Sequence, residues 1–266
     1  MENKQFKHLI ITRFMCDNFI PNLADTQSDD WKEMSFKMAK RHIIPTLENQ
    51  TNKEFTLVFL VGNNINADDV QRIYGLSNIL NIAVCYLENF DAYIRNFDTD
   101  YLITSRLDYD DHVYKYCVED IQCYFNSCDV EVKLYGLFEG VSIVDGKQDP
   151  HLMYHYPWLG TDGFPAPMAT LMLKKESVKK YFDIYKLGYH VDIIKNFMAV
   201  QSVYCNRHFD IHEVLYNHKG FNIDYIWIRH NHSASKIAEN VTHTTNIIVN
   251  IPEYELEYIY GYKINN

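Results

Sequence analysis

Residues 54–64 read EFTLVFLVGNN. A strand with one wet face alternates apolar and polar side chains, but here positions 57–61 are apolar without interruption before Gly62 and Asn63 close the run. That pattern predicts a strand covered on both faces, which is the habit of parallel sheets flanked by helices. The neighbouring segments repeat the theme. HLIITRF (8–14) is a second apolar run, ending in Thr12 and Arg13, and NIAVCYL (81–87) and YLITSRL (101–107) are two more.

Helical patterns separate these runs. SDDWKEMSFKMAKRHII (28–44) offers Ser28 as a cap, Asp29 and Asp30 at the positive end of the dipole, and Trp31, Met34 and Met38 on one face. Pro45 is expected to end it. Residues 67–74 predict a short helix capped by Asn66. DHVYKYCVEDIQCYF (111–125) predicts a third, with Val113, Cys117, Ile121 and Tyr124 on one side. Strands alternating with helices at this spacing imply βαβ units, so the fold class is α/β with a mostly parallel central sheet and helices on both faces.

Beyond residue 131 the pattern becomes mixed. VKLYGLFEGVSIVDG (132–146) and HLMYHYPW (151–158) read as hairpin strands around a turn at Asp145 and Gly146. FPAPMATLMLKK predicts a strand entering a helix near Glu176, residues 190–205 a helix, and YIWIRH (225–230) a late strand. No repeat, low-complexity tract or linker interrupts residues 1–266, which are expected to form one domain.

Bulk properties narrow the partners. The 266 residues carry a net charge of −10, which argues against a nucleic-acid partner bound by phosphate neutralisation. An anionic small molecule would need a local arginine or a metal. The 21 tyrosines and 15 phenylalanines predict large buried or clefted surfaces. The six cysteines (Cys16, Cys85, Cys117, Cys123, Cys128, Cys205) form no CxxC pair, which suits reduced thiols in a cytoplasmic setting. No apolar run is long enough for a signal sequence or a transmembrane segment.

Chemistry concentrates at SRLDYDD (105–111), where Asp108, Asp110 and Asp111 crowd the end of a predicted strand. Ligands of open α/β sheets bind beyond the carboxyl ends of the strands. Two carboxylates at i and i+2 can share a hard divalent ion, which in turn can hold a diphosphate. A plainer reading makes Asp110 or Asp111 the cap of a helix beginning near His112. An EF-hand register, with Glu119 in twelfth place, puts His112 where glycine is needed and follows a strand rather than a helix. The DTD at 98–100 precedes its strand and lies at the wrong end of the sheet.

HLIITRF, IIPTLENQTNKEFTLVFLVGNN and YLITSRLDYDDHV, in this order, resemble the rhamnosyltransferase-like family and, more broadly, nucleotide-sugar glycosyltransferases of the GT-A type. The likeness covers residues 8–126 well, and the rest more loosely through PAPMATLML and YIWIRHNHSAS. It implies a GT-A-like domain with a nucleotide-sugar-binding half (1–130) and an acceptor-side half (131–266). It implies a hexosyltransferase using a nucleoside-diphosphate sugar as donor and Mn²⁺ or Mg²⁺ held by Asp108, Asp110 and Asp111. Carried over residue by residue, Asp108 would face the ribose or the metal and Arg106 the donor. Thr12 and Arg13 would meet the nucleotide, and Asn63 and Asn64 the base, although VGNN has no aspartate there. His232 in RHNHSAS would join the metal or diphosphate, with His230 as the alternative. A base taking the acceptor proton would be Asp162 in WLGTDGFPAP or Asp192 in HVDII, with Asp210 and Glu213 also candidates; a retaining enzyme would need none. The acceptor would be a carbohydrate or glycoconjugate. The tail YELEYIYGYKINN could pack on the core or on a second subunit of a homo-oligomer.

Overall fold

The computed structural model describes residues 4–16, 28–63, 65–137, 139–144, 147–148, 151–154, 168–178, 215–217, 225–229, 244–248 and 251–263. Its centre is the strand read first, β2 (Thr56–Val61), every residue of which is buried. Leu57, Phe59 and Val61 enter one apolar cluster and Val58 and Leu60 the other, so both faces are covered as the uninterrupted run predicts. On either side lie β1 (Phe6–Phe14) and β3 (Ile82–Tyr86), both parallel to β2, and β4 (Tyr101–Arg106) runs parallel to β1 on its far side.

The front helices are α1 (Asp29–Arg41), α2 (Ile43–Glu48), α3 (Ala67–Tyr74), α4 (Phe90–Arg95) and α5 (Cys117–Ser127). Phe36, Leu47, Ile73 and Ile121 from α1, α2, α3 and α5 pack on one face of the sheet, while Phe90 and Ile94 of α4 pack on the other. Helices therefore cover both faces. Ser28 caps α1 by accepting from the Trp31 N–H, and Asn66 and Asp69 close a reciprocal capping box on α3.

Two front-half expectations fail. Pro45 does not stop a helix: the break comes at His42, and Pro45 sits in the first turn of α2, where a missing N–H loses no intrahelical bond. The helix predicted from residue 111 begins only at Cys117, because His112 and Val113 form a short strand, β5. That removes the reading of Asp110 or Asp111 as caps of a helix starting at His112.

The back half completes two sheets. The strands are β6 (Val132–Gly136), β7 (Glu139–Val144), β8 (Lys147–Gln148), β9 (His151–Tyr154), β10 (Ala169–Lys174), β11 (Leu215–Asn217), β12 (Tyr225–Arg229) and β13 (Thr244–Ile248), with short α6 (Lys175–Val178) after β10. The first sheet has the order β11-β6-β10-β4-β1-β2-β3, with β10 antiparallel to both of its neighbours. The second has the order β13-β9-β7-β12-β5, with β8 paired to β7. Of the hairpin expected between 132–146 and 151–158, β7 and β9 do pair antiparallel, with β8 also on β7, but β6 belongs to the first sheet and β7 to the second. One predicted strand is thus two, in different layers. The helix expected over 190–205 lies outside the described residues.

A buried polar chain ties the first sheet together across β1, β4 and β10. Gln122 Nε2 donates to His8 Nδ1 (3.2 Å), which leaves His8 Nε2 to donate to Ser105 Oγ (2.8 Å). Ser105 donates to Thr170 Oγ1 (2.7 Å), which donates to the Met168 carbonyl (2.8 Å). Burial lowers the pKa of His8 to about 3. The unfolded chain, with its imidazole near 6.5, therefore binds a proton that the native state refuses. His8 is expected to contribute no pH dependence above neutrality and a fall of about 1.4 kcal/mol per pH unit as pH drops from about 6 towards 4, and the buried His112, lowered to about 4, adds in the same direction. Urea midpoints measured across that range should show the slope, and His8→Gln should reduce it, leaving the part due to His112.

The C-terminal helix α7 (Glu253–Tyr260) buries Leu256 and Tyr260 in the apolar cluster that also holds Ile43, Ile44 and Leu47 of α2, so residues 251–263 pack on the core. Gly261, at φ 68°, closes it in the left-handed region, and a Cβ there would stand 2.7 Å from the Pro45 carbonyl oxygen. Gly261→Ala is expected to cost about 1–3 kcal/mol, read as a lowered urea midpoint.

Candidate functional site

Strand order places the site. From β1 the chain steps to β2 and β3 on one side, then crosses so that β4 lies on the other. The reversal leaves a crevice beyond the carboxyl ends of β1 and β4, where open α/β sheets take their ligands. Arg106 is in register with Ile11, and Arg13 lies two residues beyond Ile11 on the same strand. Side chains alternate along a strand, so both arginines project on one face of that edge.

They converge on one carboxylate. Arg13 Nη2 lies 3.5 Å and Arg106 Nε 3.6 Å from Asp108 Oδ1. Arg106 is only 1% exposed, whereas Asp108 and Arg13 are partly open. The turn following β4 is closed by the Asp111 N–H donating to the Asp108 carbonyl (3.2 Å). It links the two sheets, since β4 precedes it in the first and β5 follows it in the second.

Within the turn the residues divide. Asp108 and Asp110 are partly exposed, while Asp111 is only 2% exposed. Tyr109 is the anchor: its ring meets Phe14 edge-on at 5.7 Å and its hydroxyl lies beside Ser35 of α1. Burial, with the charges of Asp110 and Asp108 beside it, pushes its phenol well above the ordinary range. The i and i+2 carboxylates stay partly open to solvent while the ring between them packs against the core. Sequence reading missed this role for Tyr109; the signal available was the aromatic inside D-Y-D.

Backbone strain marks the same edge. Met15 (φ 54°) follows β1 and Met168 (φ 57°) precedes β10, whose Ala169 pairs with Arg106. They are the two non-glycine residues in the left-handed region among the described residues. Each costs on the order of 1–3 kcal/mol, and such positions gather at functional sites. Nothing in the sequence announces either.

The other expected residues lie apart. Thr12 is fully buried on the face opposite Arg13, with no hydrogen-bond partner for its hydroxyl among the described residues. Asn63 is exposed beyond β2, its Nδ2 3.4 Å from Glu88 Oε2 at the edge beside β3. Asn64, Asp162, Asp192, Asp210, Glu213, His230 and His232 lie outside the described residues.

Among the described residues, no group of three or more His, Cys, Asp or Glu side chains gathers as a metal site. Asp108 and Asp110 are nonetheless hard oxygen donors on one turn. Magnesium-like ions are commonly held by one or two carboxylates, with substrate phosphates and water filling the rest of the shell. Arg13 and Arg106 formally cancel Asp108 and Asp110, so a diphosphate entering here would still need its own counter-charge. The donor set fits a divalent cation that arrives with an anionic ligand. Among the described residues, no helix is long and apolar enough to cross a membrane.

No protein-family model matches the sequence, and no curated protein does. Solved structures do show likenesses. TarS residues 1–349 from S. aureus, in complex with UDP-GlcNAc, is 13% identical, with a TM-score of 0.45, covering 84% of this chain. This chain spans only 58% of that one. A "putative nucleotide-diphospho-sugar transferase" from Desulfovibrio desulfuricans G20 is 10% identical, covering 84% of this chain and 81% of its own, with a TM-score of 0.43. A cytidylyltransferase from Leptospira borgpetersenii serovar Hardjo-bovis is 8% identical, covering 82% and 77%, with a TM-score of 0.40.

Proposed function

We propose that this chain is a metal-dependent glycosyltransferase of the hexosyl-transferring, GT-A-like kind, working as one domain on a nucleoside-diphosphate sugar. One observation carries the reading: Arg13 and Arg106 meet Asp108 at the crevice between β1 and β4. The order of the three front-half motifs supports the donor class, and rhamnose is the sugar that their resemblance suggests. The acceptor is a carbohydrate or glycoconjugate.

In this reading Asp108 and Asp110, with His232, would hold Mn²⁺ or Mg²⁺, whereas Asp111, expected to join them, is buried. The ion supplies the positive charge that offsets the leaving diphosphate. Arg13 and Arg106 orient the phosphates and stabilise the charge that grows on the leaving oxygen. Asn63 and Asn64 face the base, and Thr12 supports the strand end beneath the nucleotide. The sugar C1–O bond to the diphosphate breaks as the acceptor oxygen bonds to C1. Asp162, or Asp192 in its place, takes the acceptor proton.

Product analysis tests the reading. The protein, incubated with Mn²⁺ and a panel of nucleotide sugars, is expected to release a nucleoside diphosphate in step with sugar transfer. Sugar-1-phosphate or pyrophosphate would instead mark a phosphohydrolase or nucleotidyltransferase. A complete absence of turnover alongside glycan binding would mark a non-catalytic module.

A further inference from the structure

We infer that the C-terminal segment 251–263 braces the acidic turn, and that His112 is the positioning residue through which it acts. This rests on the donor-site reading above and adds to it a part of the chain remote in sequence. His112 follows Asp111 directly and opens β5. Its Nδ1–H donates to the Tyr260 carbonyl (3.0 Å), so its Nε2 is left to accept from His42 Nδ1 (2.9 Å). Both ring nitrogens are thereby used, one by α7 and one by the α1–α2 junction. The Tyr262 ring stacks on His42 (6.0 Å, 15° between planes) and meets His112 edge-on (5.1 Å, 89°).

The surrounding bonds hold the same node. Asn49 Nδ2 donates to the Tyr258 carbonyl (3.1 Å), fixing α7 to α2. Thr46 Oγ1 accepts from the Val113 N–H (3.0 Å), and Gln50 Nε2 donates to the Tyr114 carbonyl (3.0 Å). On the paired side of β5, Ile226 of β12 stands opposite His112. The acidic turn is thus fixed at both ends, by Tyr109 and Asp108 on one side and by His112 on the other. Asp110 lies between them. An error of about 1 Å in a group that places the reacting atoms can cost on the order of a hundredfold.

Three variants test the brace: His112→Leu, His112→Asn and Tyr262→Ala, each in the full chain. Two readouts are needed: amide hydrogen exchange over residues 107–113, with β3 as the internal control, and titration with UDP, GDP and dTDP in the presence of Mn²⁺. His112→Leu and Tyr262→Ala are expected to lose protection over 107–113 alone. They should weaken nucleotide binding by about tenfold or more while unfolding remains cooperative. His112→Asn, which can keep an N–H directed at the Tyr260 carbonyl, is expected to restore most of both. Wild-type protection and affinity in His112→Leu and Tyr262→Ala would overturn the brace, as would His112→Asn behaving like His112→Leu. If His112→Leu does not fold, Tyr262→Ala and Asn49→Ala make the same comparison. If the wild-type protein binds no nucleotide, the donor reading fails, and the exchange data still decide the brace.

Discussion

Arg106→Met is expected to lower stability by about 2–4 kcal/mol and to weaken nucleotide binding at the same time. Methionine keeps much of the buried stem, so the loss reports the guanidinium rather than a cavity. Arg106 is 1% exposed and sits between two partners in register, Ile11 of β1 and Ala169 of β10. Removing its charge leaves Asp108 with Arg13 as its remaining partner in this ion-pair cluster. Asp108 is a quarter exposed, so water takes up part of the loss and the cost stays below that of a fully buried orphan. Arg106→Lys should recover only part of it, because an ammonium lacks the planar fork of the guanidinium. Urea unfolding and nucleotide titration on the same samples check both effects. No change in either would mean that the arginine merely fills space.

The second large effect separates the aspartates. Asp110→Asn and Asp108→Asn are expected to reduce transfer by about a hundredfold to a thousandfold, which is the range seen when one charge-stabilising group is lost. Both are partly exposed, so the urea midpoint of Asp110→Asn should stay near wild type. Asp111→Asn should behave in the opposite way, lowering stability more than binding, because only 2% of Asp111 is exposed. Steady-state rates beside unfolding curves for the three variants would display the split. Equal behaviour of all three would contradict the inward and outward division made by Tyr109.

Much of the frame could be read from local chemistry. β2 declared itself by the unbroken apolar run from Leu57 to Val61, and α3 by Asn66, which caps it as predicted; the reciprocal bond from Asp69 was not foreseen. The acidic pair was visible because i and i+2 carboxylates followed an apolar run. What was hidden depends on partners far along the chain. His112 and Val113 carry helical spacing, yet they pair with β12 more than a hundred residues later, and no nearby residue signals it. The passage from β6 into β7 changes sheets within an apolar stretch that reads as one strand. Arg13 and Arg106 were each evident as strand ends, but their meeting on Asp108 follows from the parallel register of β1 and β4. The Gln122–His8–Ser105–Thr170 chain draws on four separate elements and leaves no periodic trace.

In the proposed function, the crevice between β1 and β4 holds a nucleoside diphosphate together with a divalent cation. Isothermal titration of UDP, GDP and dTDP, with and without Mn²⁺, on wild type and Asp110→Ala, tests it most directly. At least one nucleotide is expected to bind, Mn²⁺ to strengthen the binding, and Asp110→Ala to remove the Mn²⁺ effect. Nucleotides that bind with no dependence on Mn²⁺ or on Asp110, or that do not bind at all, would contradict it.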